Sequence, residues 1–262
     1  MILSILRGTH IVAGFGAVLL GVVALARAKG GAAHTAAGEA FVFLGRIVVI
    51  TAVVSSLSGV FAVDSRLGGL TGTELEEARD IVPVFFGVLG VLGLLAAFDL
   101  ERGVAALRRS SIAHLRWLAI AAGLAGTALL VWSIVRVADG RGGVSWFGVI
   151  IGVFGVETLL RNGLRAPTLE GRLLSHATGM VDALFGFLAA FTIFGAGRLL
   201  NLDFFGGDMR IILLVTIVVL VGQLVNRFWR RRLVLLDAEP DRAQVMQFKR
   251  SPRDTHPPAR SR

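Results

Sequence analysis

The sequence predicts an all-α polytopic membrane bundle of seven transmembrane helices, and three observations lead there. Hydrophobic residues make up 55% of the 262-residue chain and charged residues only 17%, against about 25% charged in a soluble domain. Mostly apolar runs near the length that crosses a bilayer as a helix, about 20 residues, recur along the chain. Within each run the apolarity is continuous. A membrane barrel would instead alternate apolar and polar residues in segments of about 10.

The first span, 9–27, contains the apolar stretch Ile11–Ala26 and ends on Arg27 and Lys29. Arg7, the apolar region and Ala24-Leu25-Ala26 also fit a signal peptide. The length of the stretch and the basic residues directly after it favour an uncleaved helix. A glycine-rich turn, Gly30-Gly31, leads to His34 and the second span, 38–63, which carries Glu39 and Arg46. Thr73-Glu74-Leu75-Glu76 is a capping-box pattern, so a short extramembrane helix is expected to lead into span three, 81–98, with Pro83 near its start. Spans four to seven follow at 112–136, 144–160, 176–197 and 211–227. Residues 1–238 form the bundle, and 239–262, with prolines among arginines, read as a disordered basic tail.

Charge sorts by connection. The first, third and fifth connections and the tail are arginine-rich, the second is acidic, and the fourth and sixth are mixed. With an odd number of spans, the Lys/Arg bias puts the N-terminus outside and the C-terminus in the cytoplasm of an inner membrane. The net charge of +9 lies mostly in loops and tail. It therefore addresses anionic lipid head groups at the basic tail rather than nucleic acid.

Three hairpins, spans 1–2, 3–4 and 5–6, share a layout of a glycine-spaced helix, a basic turn and a histidine near the start of the returning helix. They read as a tandem repeat, with span seven outside it. Gly148 and Gly152 form a small-xxx-small pair that should admit a close helix neighbour.

The absence of cysteine excludes disulfides, thiolate metal sites and iron–sulfur clusters. No phosphate loop, nucleotide fingerprint, H-E-x-x-H motif or Ser-His-Asp spacing is present. The remaining candidates are polar groups at depth. Arg46 lies 12 residues past His34, about 18 Å along a helix. Glu39 and Arg46 are seven apart and share a face, with Phe43 between them. Asp182, six residues past His176 on span six, sits at a depth similar to that of Glu39, five past His34, and Glu157 precedes Arg161 by four. A buried arginine stays charged and needs an acid, so Arg46 is expected to pair with Asp182 or Glu39, with spans two and six as neighbours. The cluster Glu39, Arg46, Glu157 and Asp182 is either structural pairing or a functional polar site. His34, His114 and His176 all fall at the cytoplasmic boundary. They are either helix-end hydrogen bonders or ligands of a metal or haem b. Haem transferring electrons across the membrane would need more histidines on the other side than His10 alone.

His10-x-x-x-Gly14, Ala28-Lys29-Gly30-x-x-x-His34-x-x-x-Gly38 and the Phe41–Phe43 stretch resemble an uncharacterised bacterial family of multi-pass membrane proteins. His176-Ala177-Thr178-Gly179-Met180 is similar to a second element of that family. The resemblance covers the first sixty residues and, more loosely, span six. It implies a fold and a membrane location and transfers no catalytic residue. A more distant similarity to diheme membrane cytochromes departs from their pattern in its shortage of outer histidines. Three functions stay open: a non-catalytic bundle serving as accessory subunit of a membrane complex, a carrier for protons or a small solute, and a haem b redox protein. No cofactor is expected on the first two readings. Other membrane-protein subunits and the bilayer itself are the expected partners.

Overall fold

The computed structural model describes residues 2–108, 113–164, 171–192 and 209–237. Every regular element among them is helical. The α-helices are α1 (Ile2–Ala26), α2 (Ala32–Phe61), α3 (Gly72–Arg108), α4 (Ala113–Ala138), α5 (Ser145–Thr158), α6 (Arg172–Phe191) and α7 (Met209–Asp237). A 3-10 turn, Val63–Arg66, follows α2, and α5 runs directly into a π turn, Leu159–Gly163. Five helices are long and apolar enough to cross a membrane: Ser4–Ala26, Ala32–Phe61, Gly72–Leu107, Ala113–Ala138 and Arg172–Phe191. The basic tail expected over 239–262 lies outside the described residues.

The packing is inverted relative to a water-soluble bundle. Alanines dominate the core, among them Ala13, Ala17, Ala105, Ala119, Ala122 and Ala183. Large side chains such as Ile11, Phe15, Phe43, Ile50, Val131 and Ile150 point outward. Water penalises such a surface, whereas lipid tails are as apolar as the side chains and reward backbones that pack closely through small residues.

Close approach is most pronounced between α4 and α5. A Cβ on Gly126 would lie 2.7 Å from Gly155 Cα, and one on Gly155 would lie 2.9 Å from Ala122 O. Gly148 and Gly152 face the same seam, as their spacing predicts, against Ser133 and Leu130. A second approach joins α3 to α6, where a Cβ on Gly179 would lie 2.7 Å from both Asp99 O and Gly103 N. A third contact, between α2 and α3, sets Ser56 Oγ donating to Phe86 O.

Consecutive helices run antiparallel, and α3 is central, packing on α2, α4, α5 and α6. The tandem-hairpin expectation is corrected here. α1–α2 and α4–α5 are the tight pairs, and α5 and α6 do not pack as a hairpin; α6 lies on α3, α7 and α1 instead. Nor is there a separate short helix before span three. The capping-box residues are the first turn of a single 37-residue α3 that contains Pro83. Near its start, α3 presents Asp80 to Arg136 of α4 through two bonds of 2.5 and 2.7 Å. Ser145 Oγ accepts from Arg136 Nε at 3.1 Å, and Arg141 adds a bond to Asp80 at 2.7 Å. One carboxylate thereby ties α3, α4 and the turn before α5 together.

At the opposite end, which carries the α1–α2 turn, basic residues cap helix C-termini. Gly30, at φ 76°, makes the turn. Lys29 Nζ donates to Ala24 O and Leu25 O, at 3.1 and 2.6 Å. Arg172 donates to Ala106 O and Leu107 O, at 3.2 and 2.8 Å, and Arg116 donates to Gly163 O at 3.1 Å. α1, α3 and α5 all end here, so their unpaired carbonyls and negative dipole ends gather on one side, and cations satisfy both.

Candidate functional site

The charged side chains at depth form a belt crossing α2, α3, α6 and α7. Arg46 on α2 makes a two-point contact with Glu101 on α3: Nε to Oε1 at 2.7 Å and Nη2 to Oε2 at 3.0 Å. One residue further along α3, Arg102 Nη2 contacts Asp99 at 3.1 Å and Asp182 of α6 at 2.9 Å. Asn226 of α7 donates its amide to the other oxygen of Asp182. The α3–α6 part of the belt is possible because Gly103 and Gly179 bring the two backbones together beside it.

The expected partners of Arg46 are therefore corrected. Arg46 bonds neither Asp182 nor Glu39. Its acid is Glu101, because α3 lies beside α2 for most of its length while α2 and α6 meet chiefly through Phe41 and Phe187, 5.9 Å apart in an edge-to-face contact. Glu39 does share a face with Phe43 and Arg46, but that face is the exposed one, and Glu39 bonds no described residue. Glu157 pairs locally with Arg161 at 3.0 Å, both well exposed, and stands apart from the belt. Asp99, Glu101 and Arg102 lie beyond the expected end of span three at residue 98, in a helix that continues to Arg108. The stretch Asp99–Arg108 has no proline and a single glycine, and Asp99 and Arg102 have i,i+3 spacing, so a continuing helix was readable there.

Two halves of the belt differ chemically. Arg46 and Glu101 neutralise each other. Arg102 faces two carboxylates through the same nitrogen, with Arg230 within electrostatic range of Asp182, and Arg102 Nε and Asn226 Oδ1 beside them are buried with no partner among the described residues. Such a cluster is able to hold an extra proton or accept a small polar guest.

The histidines sort into two kinds. His34 Nδ1 bonds Ala24 O at 2.8 Å and His176 Nδ1 bonds Gly103 O at 3.0 Å. A carbonyl only accepts, so Nδ1 carries the proton in both. Both therefore bond a carbonyl of a neighbouring helix through Nδ1, and they lie within electrostatic range of each other and of Lys29. His114 is exposed at the start of α4. No three histidine, aspartate or glutamate side chains among the described residues converge as a metal site, so His114 does not join the other two. His10, read as lying towards the other side, bonds Thr51 Oγ1 at 2.8 Å between α1 and α2.

No family model, curated protein or solved structure matches the chain.

Proposed function

We propose that this chain is a seven-span inner-membrane protein, N-terminus outside and tail cytoplasmic, that serves as a non-catalytic subunit of a membrane complex. The subunit reading is carried by one observation, the outward position of the Arg46–Glu101 pair. Arg46 stands near the middle of the 30-residue α2, about 20 Å from either helix end. Its side chain is 45% exposed and that of Glu101 is 20% exposed. Phe43 and Ile50 flank it on the same face and are also exposed. Charges at bilayer depth normally face a bundle interior, since each costs about 2.5–3.5 kcal/mol in hydrocarbon. A pair turned outward is relieved when a second membrane protein covers it. Arg46 Nη1, which bonds no described residue, then remains for an acceptor on that partner.

The carrier reading draws on the Asp99–Arg102–Asp182 cluster. The open grooves along α7, however, have no belt residue in their lining. The subunit reading is preferred on that ground.

A size measurement in native lipid tests the assembly. Extracted into polymer discs, the wild-type chain should run as a complex larger than one 27.8 kDa protein. The Arg46→Leu/Glu101→Leu variant should run as a single chain. Its own stability should not fall, because leucine replaces two charges that are costly in hydrocarbon. A wild type that is already monomeric, or a double variant that assembles normally, would remove the proposal. Orientation is checked by reporter fusions at Thr71 and Asp241, which should report outside and cytoplasm. A cytoplasmic signal at Thr71 would reverse the topology.

A further inference from the structure

We propose that the groove between the end of α1 and α7 is a binding site for one anionic phospholipid. The groove is walled by Leu25 of α1 and by Leu224, Val225, Phe228 and Trp229 of α7. Its neighbouring face on α7 carries Leu224, Arg227, Phe228, Arg231 and Arg232. These positions are spaced three, four, seven and eight apart, a single helical stripe. Before the groove the exposed side of α7 carries Ile217, Leu220 and Val221, with Gln223 the exposed polar residue beside them. Arg227, Arg231 and Arg232 follow in the C-terminal half of the helix. Acyl chains lying along the apolar part would place a head group among the cations.

Charge supports a net-negative occupant. Lys29 lies 5.2 Å over the Trp229 ring, and Arg232 lies 5.8 Å from the same ring. Two cations thus share one indole at the mouth of the groove. Burial pulls the Lys29 ammonium below its ordinary value, and its bonds go to two backbone carbonyls rather than to an acid. Lys29, Arg227, Arg231 and Arg232 form no ion pair with any described carboxylate. A phosphodiester bearing a full negative charge compensates this cluster, whereas the zwitterionic head group of phosphatidylcholine brings its own cation. Nucleic acid would use the arginines but leave the apolar wall uncovered; a phospholipid uses both. The site rests on the membrane reading of the fold and is independent of the subunit proposal.

Native mass spectrometry of the full chain tests it, with dioleoyl-phosphatidylglycerol or dioleoyl-phosphatidylcholine added to the detergent. The wild type should retain one phosphatidylglycerol per chain and release phosphatidylcholine. Arg227→Gln/Arg231→Gln should weaken phosphatidylglycerol retention about 25-fold, at about five-fold for each charge removed near a lipid surface. Both side chains are exposed, so the thermal midpoint should not move. Lys29→Gln, on the other wall, should weaken retention on its own and decides the matter if the double variant misfolds. Arg250→Gln/Arg253→Gln in the tail should leave retention unchanged. Equal retention of the two lipids, wild-type retention by the groove variants, or an equal loss in the tail variant would each overturn the site.

Discussion

Asp80→Leu should lower the stability of the bundle by about 3–5 kcal/mol, the cost of leaving a buried charge without its partner. Arg136 is 7% exposed, and both oxygens of Asp80 bond its two terminal nitrogens. Ser145 Oγ remains as its acceptor after the substitution, but a hydroxyl does not neutralise a guanidinium. Arg136→Leu should cost less, because Asp80 keeps Arg141 and has a side chain 29% exposed. Asp80→Leu/Arg136→Leu should recover part of the larger loss. Unfolding in detergent micelles measures all three, and strictly additive losses would show that the pair does not hold α3 to α4.

Gly152→Leu should be nearly as damaging, with a loss of about 3 kcal/mol or more, beyond the usual range for an overpacked core. A Cβ at this position would lie 2.8 Å from Gly126 O and 2.9 Å from Leu130 Cα. Both neighbours are backbone atoms, which cannot swing aside as a side-chain tip does. α4 and α5 must separate, and the contacts of Gly126, Gly155 and Ala122 go with them. Gly38→Leu is the control, because a Cβ there meets nothing within 4 Å. Leucine is the better helix former by up to about 1 kcal/mol, so that variant should melt at or above the wild-type temperature. Equal midpoints for the two variants would mean that the α4–α5 seam is not where the bundle is held.

The helices were legible because each apolar run is long enough to settle its own conformation. α1, α2 and α4 start and end within a few residues of the expected spans, apart from extensions of the first turns. α3 runs past the expected span at both ends, and the belt residues Asp99, Glu101 and Arg102 lie in its C-terminal extension. A hydropathy pattern ends where the residues turn polar, whereas a helix ends where its carbonyls lose their partners. Arg172, sixty-four residues beyond Arg108 in sequence, supplies those partners for α3. Nothing local to α3 announces that. The close glycine seam was half legible: the Gly148–Gly152 spacing identified α5 as an interface helix, but α4 as its neighbour came from Gly126 and Ala122 only after folding.

By itself the sequence determined the class of object, the existence and order of its apolar helices, the small-residue faces along them and the basic end of the bundle. Those properties follow from length, hydropathy and spacing within one segment. Which helices lie side by side, and so which acid meets which arginine, was decided by the tertiary structure alone. In lipid no hydrophobic gradient sorts one apolar face from another. Helix order is then set by the few places where backbones approach most closely, Gly103 against Gly179 and Gly126 against Gly155. The belt follows from that order: once α3 lies between α2 and α6, Arg46 is left to Glu101 and Asp182 to Arg102.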